Sequence, residues 1–239
     1  MIFDIITIFP DFFESFVSES LIKRAQKRGL IKINVHNLRD FTDDPHQVVD
    51  DRAFGGGIGM VLKIEPIFKA VQSLKNKKLK IKNKKQILKD KKTKIINFSP
   101  RGKKFSQKMA TEWAKLDQLI LICGRYEGID ERVAKYIANE NISIGNFVML
   151  GGEVAAMTVM ETVSRLISGV IGKPQLLEQR VSKEKGFVEY PQYTRPEVFE
   201  PKCLKPGFKH IKWRVPKVLL SGHHEKIEDW RKKHSKIIK

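Results

Sequence analysis

Apolar runs of strand length alternate with amphipathic segments along most of this chain, and that alternation limits the fold more than any other feature. Phe3–Ile8 is an apolar run closed by Pro10-Asp11 and reads as a buried first strand. Phe12, Phe13, Phe16, Val17 and Leu21 then recur at helical spacing, and Gly29 after Lys27-Arg28 supplies a helix C-terminal signal. Ile31, Ile33 and Val35 alternate as a second strand would, and Pro66 opens a short helix towards Leu74. Further on, Lys94–Ser99, Gln118–Cys123 and Ile142–Leu150 read as strands, with helices over Phe105–Leu116, from Asp130 onwards, and over Glu153–Ile167. Strands alternating with helices predict an α/β layer structure with a mostly parallel sheet. The polar, irregular stretch from Gly172 to Gly186 suits a linker, and a short helix fits Glu225–Lys236.

Charge divides the chain differently. Residues 75–94 hold eleven lysines and one aspartate, and residues 202–239 hold twelve lysines and arginines against three acids. The remainder is balanced, so the net charge of +19 resides in two appendages. A neutral body with basic appendages predicts a polyanionic partner, most simply nucleic acid held through phosphates. The 75–94 segment lacks aromatic residues for base stacking and reads equally as a solvated low-complexity insert. The C-terminal block carries Phe208, Trp213 and Trp230 among its charges, as a folded basic surface would. No apolar run reaches the ~18 residues of a membrane span, and Met1-Ile2-Phe3-Asp4 lacks the basic start of a secretory signal. Two cysteines, Cys123 and Cys203, make neither a disulfide framework nor a four-thiolate zinc site, so a reducing cytoplasm is expected.

Three glycine-bearing loops follow predicted strands, where open α/β sheets bind ligands. They are Ser99–Gly102, Cys123–Arg132 and Ile144–Glu153. Any one of them would be explained by a tight turn, but three at successive strand ends favour a ligand site. Neither G-x-G-x-x-G before a helix nor G-x-x-x-x-G-K-[ST] occurs, which disfavours Rossmann or Walker phosphate binding. Cys123 reads as a buried strand-end thiol. His223-His224-Glu225 has no second cluster to share an ion with, so no metal site is expected.

The residues Cys123–Arg132 (CGRYEGIDER), Ser143–Met157 (SIGNFVMLGGEVAAM), Tyr193–Glu197 (YTRPE) and Ser221–Trp230 (SGHHEKIEDW) closely resemble the TrmD family of bacterial tRNA (guanine-N1)-methyltransferases, of the SPOUT class. Phe9-Pro10, Asp50-Asp51-Arg52 and Phe54-Gly55-Gly56-Gly57 match the same family's N-terminal motifs. The resemblance implies a deep trefoil knot, one of the rare exceptions to un-knotted connections, and a small, mainly helical C-terminal domain. Domains would then be 1–172 (the knotted methyltransferase domain, with the 75–94 insert), a flexible linker at 173–189, and a basic tRNA-binding domain at 190–239. It also implies a homodimer with shared sites, S-adenosyl-L-methionine as methyl donor, and the guanosine at position 37 of the tRNA anticodon stem-loop as target.

By motif, Ser99, Pro100, Gly124, Ile144, Gly145, Asn146, Phe147, Val148, Met149, Gly151 and Gly152 would surround the donor. Asp50, Arg125, Tyr126 and Glu127 would face the substrate or the methionine end. Guanine N1 carries a proton, so methylation there requires a base, and negative charge develops towards O6. Arg165 falls on the family's catalytic arginine. The family's catalytic aspartate has no counterpart, because no Asp occurs between Asp130 and Asp229. Arg180 or Val181 falls at its position, depending on the direction of counting. Glu178, Glu184 and Glu189 are the carboxylates within reach, and Glu178 is the favoured base. Ile58 and Ala155 also stand where the family usually has proline. Two other functions compete: a SPOUT enzyme acting on another RNA site, and a non-catalytic RNA-binding protein with a degenerate linker.

Overall fold

The computed structural model describes residues 1–76, 92–173, 187–201 and 212–238. β1 (Ile2–Thr7) serves two cores at once, because successive side chains leave a strand on opposite faces. Phe3 and Ile5 pack in one core with Trp113 and Val159, while Ile6 packs in the other with Ile67 and Val71. The expected single helix after β1 is instead a 3-10 turn (Pro10–Phe13), α1 (Glu14–Ser18) and α2 (Ser20–Lys27). Serines compete with the helical ladder there: the Ser18 hydroxyl donates to the Ser15 carbonyl, and Ser20 takes a φ of 51°. α2 ends as predicted at Gly29, whose φ of 69° lets its N–H reach the Gln26 carbonyl and that of Leu30 reach Ala25.

β2 (Lys32–Asn37) follows, then β3 (Asp50–Asp51) and β4 (Val61–Leu62), an antiparallel pair enclosing the glycine-rich segment. α3 (Ile64–Asn76) leads towards the lysine insert, of which residues 77–91 lie outside the described residues. β5 (Thr93–Lys104), α4 (Gln107–Trp113), β6 (Gln118–Ile122), β7 (Glu140–Ser143) and α5 (Glu153–Ser164) complete the body. The sheet order is β2-β1-β6-β5-β7 with every neighbour parallel. Both faces are covered, which is why β6 is buried at every position and reads as an unbroken apolar run.

Three expectations need correction. The strand expected over Ile142–Leu150 stops at Ser143. The Ser143 hydroxyl donates to the Gly145 carbonyl at 2.7 Å and accepts the Gly145 N–H, which turns the chain out of the ladder. Ser99–Gly102 is not a loop beyond a strand but an excursion inside β5, since Phe98 and Lys103 both pair with Ile142. The helix expected from Asp130 is a single π turn, Val133–Ile137.

A polar cluster around buried Asp4 spans β2, β1 and β6. Asp4 accepts from His36 at 2.8 Å, from Asn34 at 2.9 Å and from Gln118 at 2.7 Å. Burial pushes the Asp4 carboxyl up, but the bonds from His36, Gln118 and Asn34 outweigh it and hold it below the ordinary carboxylate range. Its stabilisation is therefore present above the unfolded value and lost as pH falls through the folded one. Asp4→Asn is expected to cost about 1–3 kcal/mol near neutrality, with the difference from wild type narrowing below about pH 4. Urea unfolding at the two pH values measures this.

The chain separates into two compact units, Met1–Leu177 and Glu178–Lys239. In the second, β8 (Phe187–Glu189), β9 (Val198–Phe199), β10 (Trp213–Arg214) and β11 (Lys236–Ile238) form two antiparallel pairs, β8 with β11 and β9 with β10. Helices span Lys217–Leu220 and His224–Lys233. The last helix ends short of the expected Lys236 because that residue opens β11 and pairs with Glu189. Trp230 stacks on His234 with ring centroids 4.2 Å apart, and Trp213 and Phe199 lie 5.6 Å apart on the exposed β9–β10 pair. Among the described residues, no helix is long and apolar enough to cross a membrane.

Candidate functional site

A cleft of about 520 Å³ opens at the C-terminal edges of β5, β6 and β7. Three separate segments build its walls: the β5 excursion, the loop after β6 and the loop after β7. Ser99, Pro100, Gly124, Ile144, Phe147, Val148, Met149, Gly151 and Gly152 line it, together with Arg125, Tyr126 and Glu127. Gly145 and Asn146 do not line it; Gly145 stands behind Phe147, and a Cβ there would meet the ring at 2.1 Å. Gly152 is confined by backbone: a Cβ would stand 2.8 Å from the Cys123 Cα. Its own N–H donates to the Gly124 carbonyl at 2.9 Å, fastening the start of α5 to the loop after β6.

Asp50 lies outside the cleft, on the β3–β4 pair. That pair nonetheless docks beside it. The Glu127 N–H donates to the Met60 carbonyl at 3.1 Å, and Leu62 and Asp130 continue the contact. Ile58 is fully exposed at the tip of this glycine-rich segment. Ala155 is buried in the first turn of α5 and lines the cleft.

Arg165 caps the far end of α5. A helix of 12 residues carries it about 18 Å from Glu153 at the cleft end. Within one chain the expected catalytic arginine and the cleft are therefore apart. Glu178, Glu184, Arg180 and Val181 lie outside the described residues. Glu189, the alternative base, ends β8 in the second unit and is half-buried.

Cys123 is buried as expected, and burial first, then the Glu153 charge, push its thiol well up while Arg125 opposes them. An inert thiol results. Among the described residues, no group of three His, Cys, Asp or Glu side chains is placed to hold a metal ion. Sequence reasoning missed Asn97 and Asn141 in the wall and gave no individual role to Arg101 and Glu131, which its loops contained. Arg101 and Glu131 form an exposed ion pair at 2.6 Å. It also gave no role to Glu153, at the end of the third loop, which is wholly buried and bonded to Arg125. The burial of an acid at a helix start is not a sequence signal, since acids there are ordinarily exposed partners of the helix dipole.

Comparison with known proteins agrees over nearly the full length. A family model described as tRNA (guanine-1)-methyltransferase TrmD matches residues 1–238. A curated tRNA (guanine-N(1)-)-methyltransferase from Dictyoglomus turgidum is 48% identical over 232 residues, covering 97% of this chain and 84% of that protein. Proteins of the same name from Caldanaerobacter subterraneus and Dehalococcoides mccartyi are 45% and 44% identical, covering 98% and 97% of this chain and 87% and 84% of theirs.

Proposed function

The chain belongs to the TrmD family of tRNA (guanine-1)-methyltransferases, and from that membership we infer that the cleft at the sheet's C-terminal edge is where it transfers the methyl group. It is a tRNA (guanine-N1)-methyltransferase with the α/β SPOUT fold. One observation carries the site assignment: three segments distant in sequence converge on a single cavity.

S-adenosyl-L-methionine fits this cavity by the nature of its wall. Gly124, Gly151 and Gly152 expose backbone to a ligand, and a side chain at Gly152 has no room to exist. Ser99, Pro100, Ile144, Phe147, Val148 and Met149 would hold the adenosyl group, with Gly145 and Asn146 shaping the loop behind them. When bound, the donor supplies an electrophilic methyl group on a sulfonium centre. The target is the guanosine at position 37, in the anticodon stem-loop. A linker carboxylate, Glu178, takes the proton from N1. Arg165 stabilises the charge that develops on O6.

Arg165 and the cleft lie at opposite ends of α5, which supports a homodimer in which one subunit's arginine serves the other's cleft. Exposed Phe147, Val148, Leu150 and Val154 beside the cleft supply apolar surface for that contact. The trefoil knot is the fold implied for the family; the close approach at Gly102, where a Cβ would stand 2.6 Å from the Ile142 nitrogen, is in keeping with it. The basic C-terminal block, with exposed Trp213 packed beside exposed Phe199, suits contacts to tRNA phosphates and bases. Transfer RNA meets the enzyme in the cytoplasm.

Methyl transfer to tRNA transcripts tests this reading. Guanosine at position 37 is expected to accept the methyl group, and adenosine there is expected to abolish acceptance. Equal methylation of both transcripts would refute the target, and none of either would favour a binding protein.

A further inference from the structure

We propose that Glu153 and Thr7 are positioning residues that hold the Arg125 guanidinium in one orientation towards the reacting groups in the cleft; the proposal rests on the assignment of methyl transfer to that cleft. Glu153 is wholly buried, a costly place for a carboxylate unless both its oxygens are satisfied. They are. Oε1 accepts from the Thr7 hydroxyl at 2.7 Å, and Oε2 accepts from Arg125 Nε at 2.9 Å. Thr7 is itself fixed, because its oxygen accepts the Phe9 N–H at 3.0 Å. The Arg125 Cζ lies 4.8 Å from the Phe9 ring centre and 4.9 Å from that of Phe12. A closed circuit results: Phe9 to Thr7, Thr7 to Glu153, Glu153 to Arg125, and Arg125 back over Phe9.

This circuit constrains each freedom the guanidinium has. Glu153 fixes the Nε edge in its plane, and the Phe9 and Phe12 rings restrict its tilt. Both Nη groups remain, without a partner among the described residues, on a side chain that lines the cleft. Gly151 is explained by the same arrangement. A Cβ there would stand 2.3 Å from Arg125 Nε and 2.6 Å from Glu153 Oε2, so the glycine makes way for the pair. Stability alone does not account for the arrangement, since well-packed apolar residues commonly match or exceed a buried ion pair.

The chemistry that two aimed N–H groups recognise is an oxygen bearing or gaining negative charge. The donor's methionine carboxylate and the target base's oxygen are the two sources in this cleft. The experiment is single-turnover methyl transfer by Glu153→Gln and by Thr7→Val, each made in the wild-type chain and in Arg125→Lys. Lysine keeps the charge that pairs with Glu153 but loses the planar fork. Each single variant is expected to slow transfer about ten- to hundredfold, the scale of a small misplacement of a reacting group. In the Arg125→Lys background the same changes are expected to add little, because the group they orient is already gone. Affinity for S-adenosylhomocysteine beside that for 5′-methylthioadenosine, which lacks the carboxylate, separates the sources. A loss confined to S-adenosylhomocysteine identifies the carboxylate, and no loss for either identifies the base. Wild-type rates in the folded variants, or effects that multiply fully with Arg125→Lys, overturn the proposal. Should Glu153→Gln fail to fold, Thr7→Val, which exchanges a hydroxyl for a methyl, decides the matter alone. Absence of S-adenosylhomocysteine binding to the wild type would overturn the cleft assignment and this proposal with it.

Discussion

Glu178→Gln is expected to slow the methyl-transfer step by about two orders of magnitude, the usual scale for removing a general base, while leaving affinity for S-adenosylhomocysteine unchanged. Guanine N1 is a poor nucleophile until its proton leaves, so the step depends on a carboxylate reaching it. No aspartate occurs between Asp130 and Asp229, and an arginine such as Arg180 cannot accept a proton. Glutamate is one methylene longer than aspartate, which extends the reach of its carboxylate. Its ordinary pKa of about 4.3 leaves it ionised at neutral pH, and any desolvation on substrate docking makes it a stronger base. Single-turnover kinetics with saturating donor measure the step directly. A Glu178→Gln enzyme with the wild-type rate would move the role to Glu189 or Glu184.

Gly152→Val is expected to weaken S-adenosylhomocysteine binding about ten- to hundredfold. The added Cβ meets backbone, 2.8 Å from the Cys123 Cα and 3.1 Å from the Gly124 nitrogen. Neither can retreat without shifting the end of β6, which is one wall of the cleft. Overpacking of this kind costs about 1–3 kcal/mol, and each 1.4 kcal/mol is tenfold in affinity. Gly145→Val serves as the contrast. Its clash is with the Phe147 ring, which is more than half exposed and free to swing outward, so a smaller loss follows. Calorimetry on both variants, with thermal unfolding as the control for folding, checks the ranking. Unchanged affinity in Gly152→Val would put the donor elsewhere.

The layered architecture was legible because a parallel sheet buried on both faces writes itself as apolar runs, Gln118–Ile122 being the plainest. Where strands end was harder to read. Ile144–Leu150 is as apolar as a strand but leaves the ladder, because one serine hydroxyl satisfies the backbone groups of Gly145 that would have continued it. Periodicity does not register a side chain that replaces a backbone partner. The cleft's walls were legible as glycine-bearing loops. The residues behind them were not, since Thr7, Phe9 and Glu153 are joined only by contacts between distant parts of the chain. The separation of Arg165 from the cleft was not legible either, since it follows from the length of α5 alone.

The shared partnership of Ile142 also bears on how the protein is made. Phe98 and Lys103 pair with the same residue on β7, about forty positions later in the chain. During synthesis the N-terminal strands leave the ribosome first, and β1, β2, β5 and β6 have each other to pair with. The Ser99–Gly102 excursion has nothing to close against until β7 arrives. Long-range closures of this kind are slow, because chain entropy is lost before contacts repay it. The cleft is therefore a late acquisition of the nascent chain, completed after the sheet that carries it, and a ribosome-bound fragment ending before Glu140 would hold most of the core without the cleft.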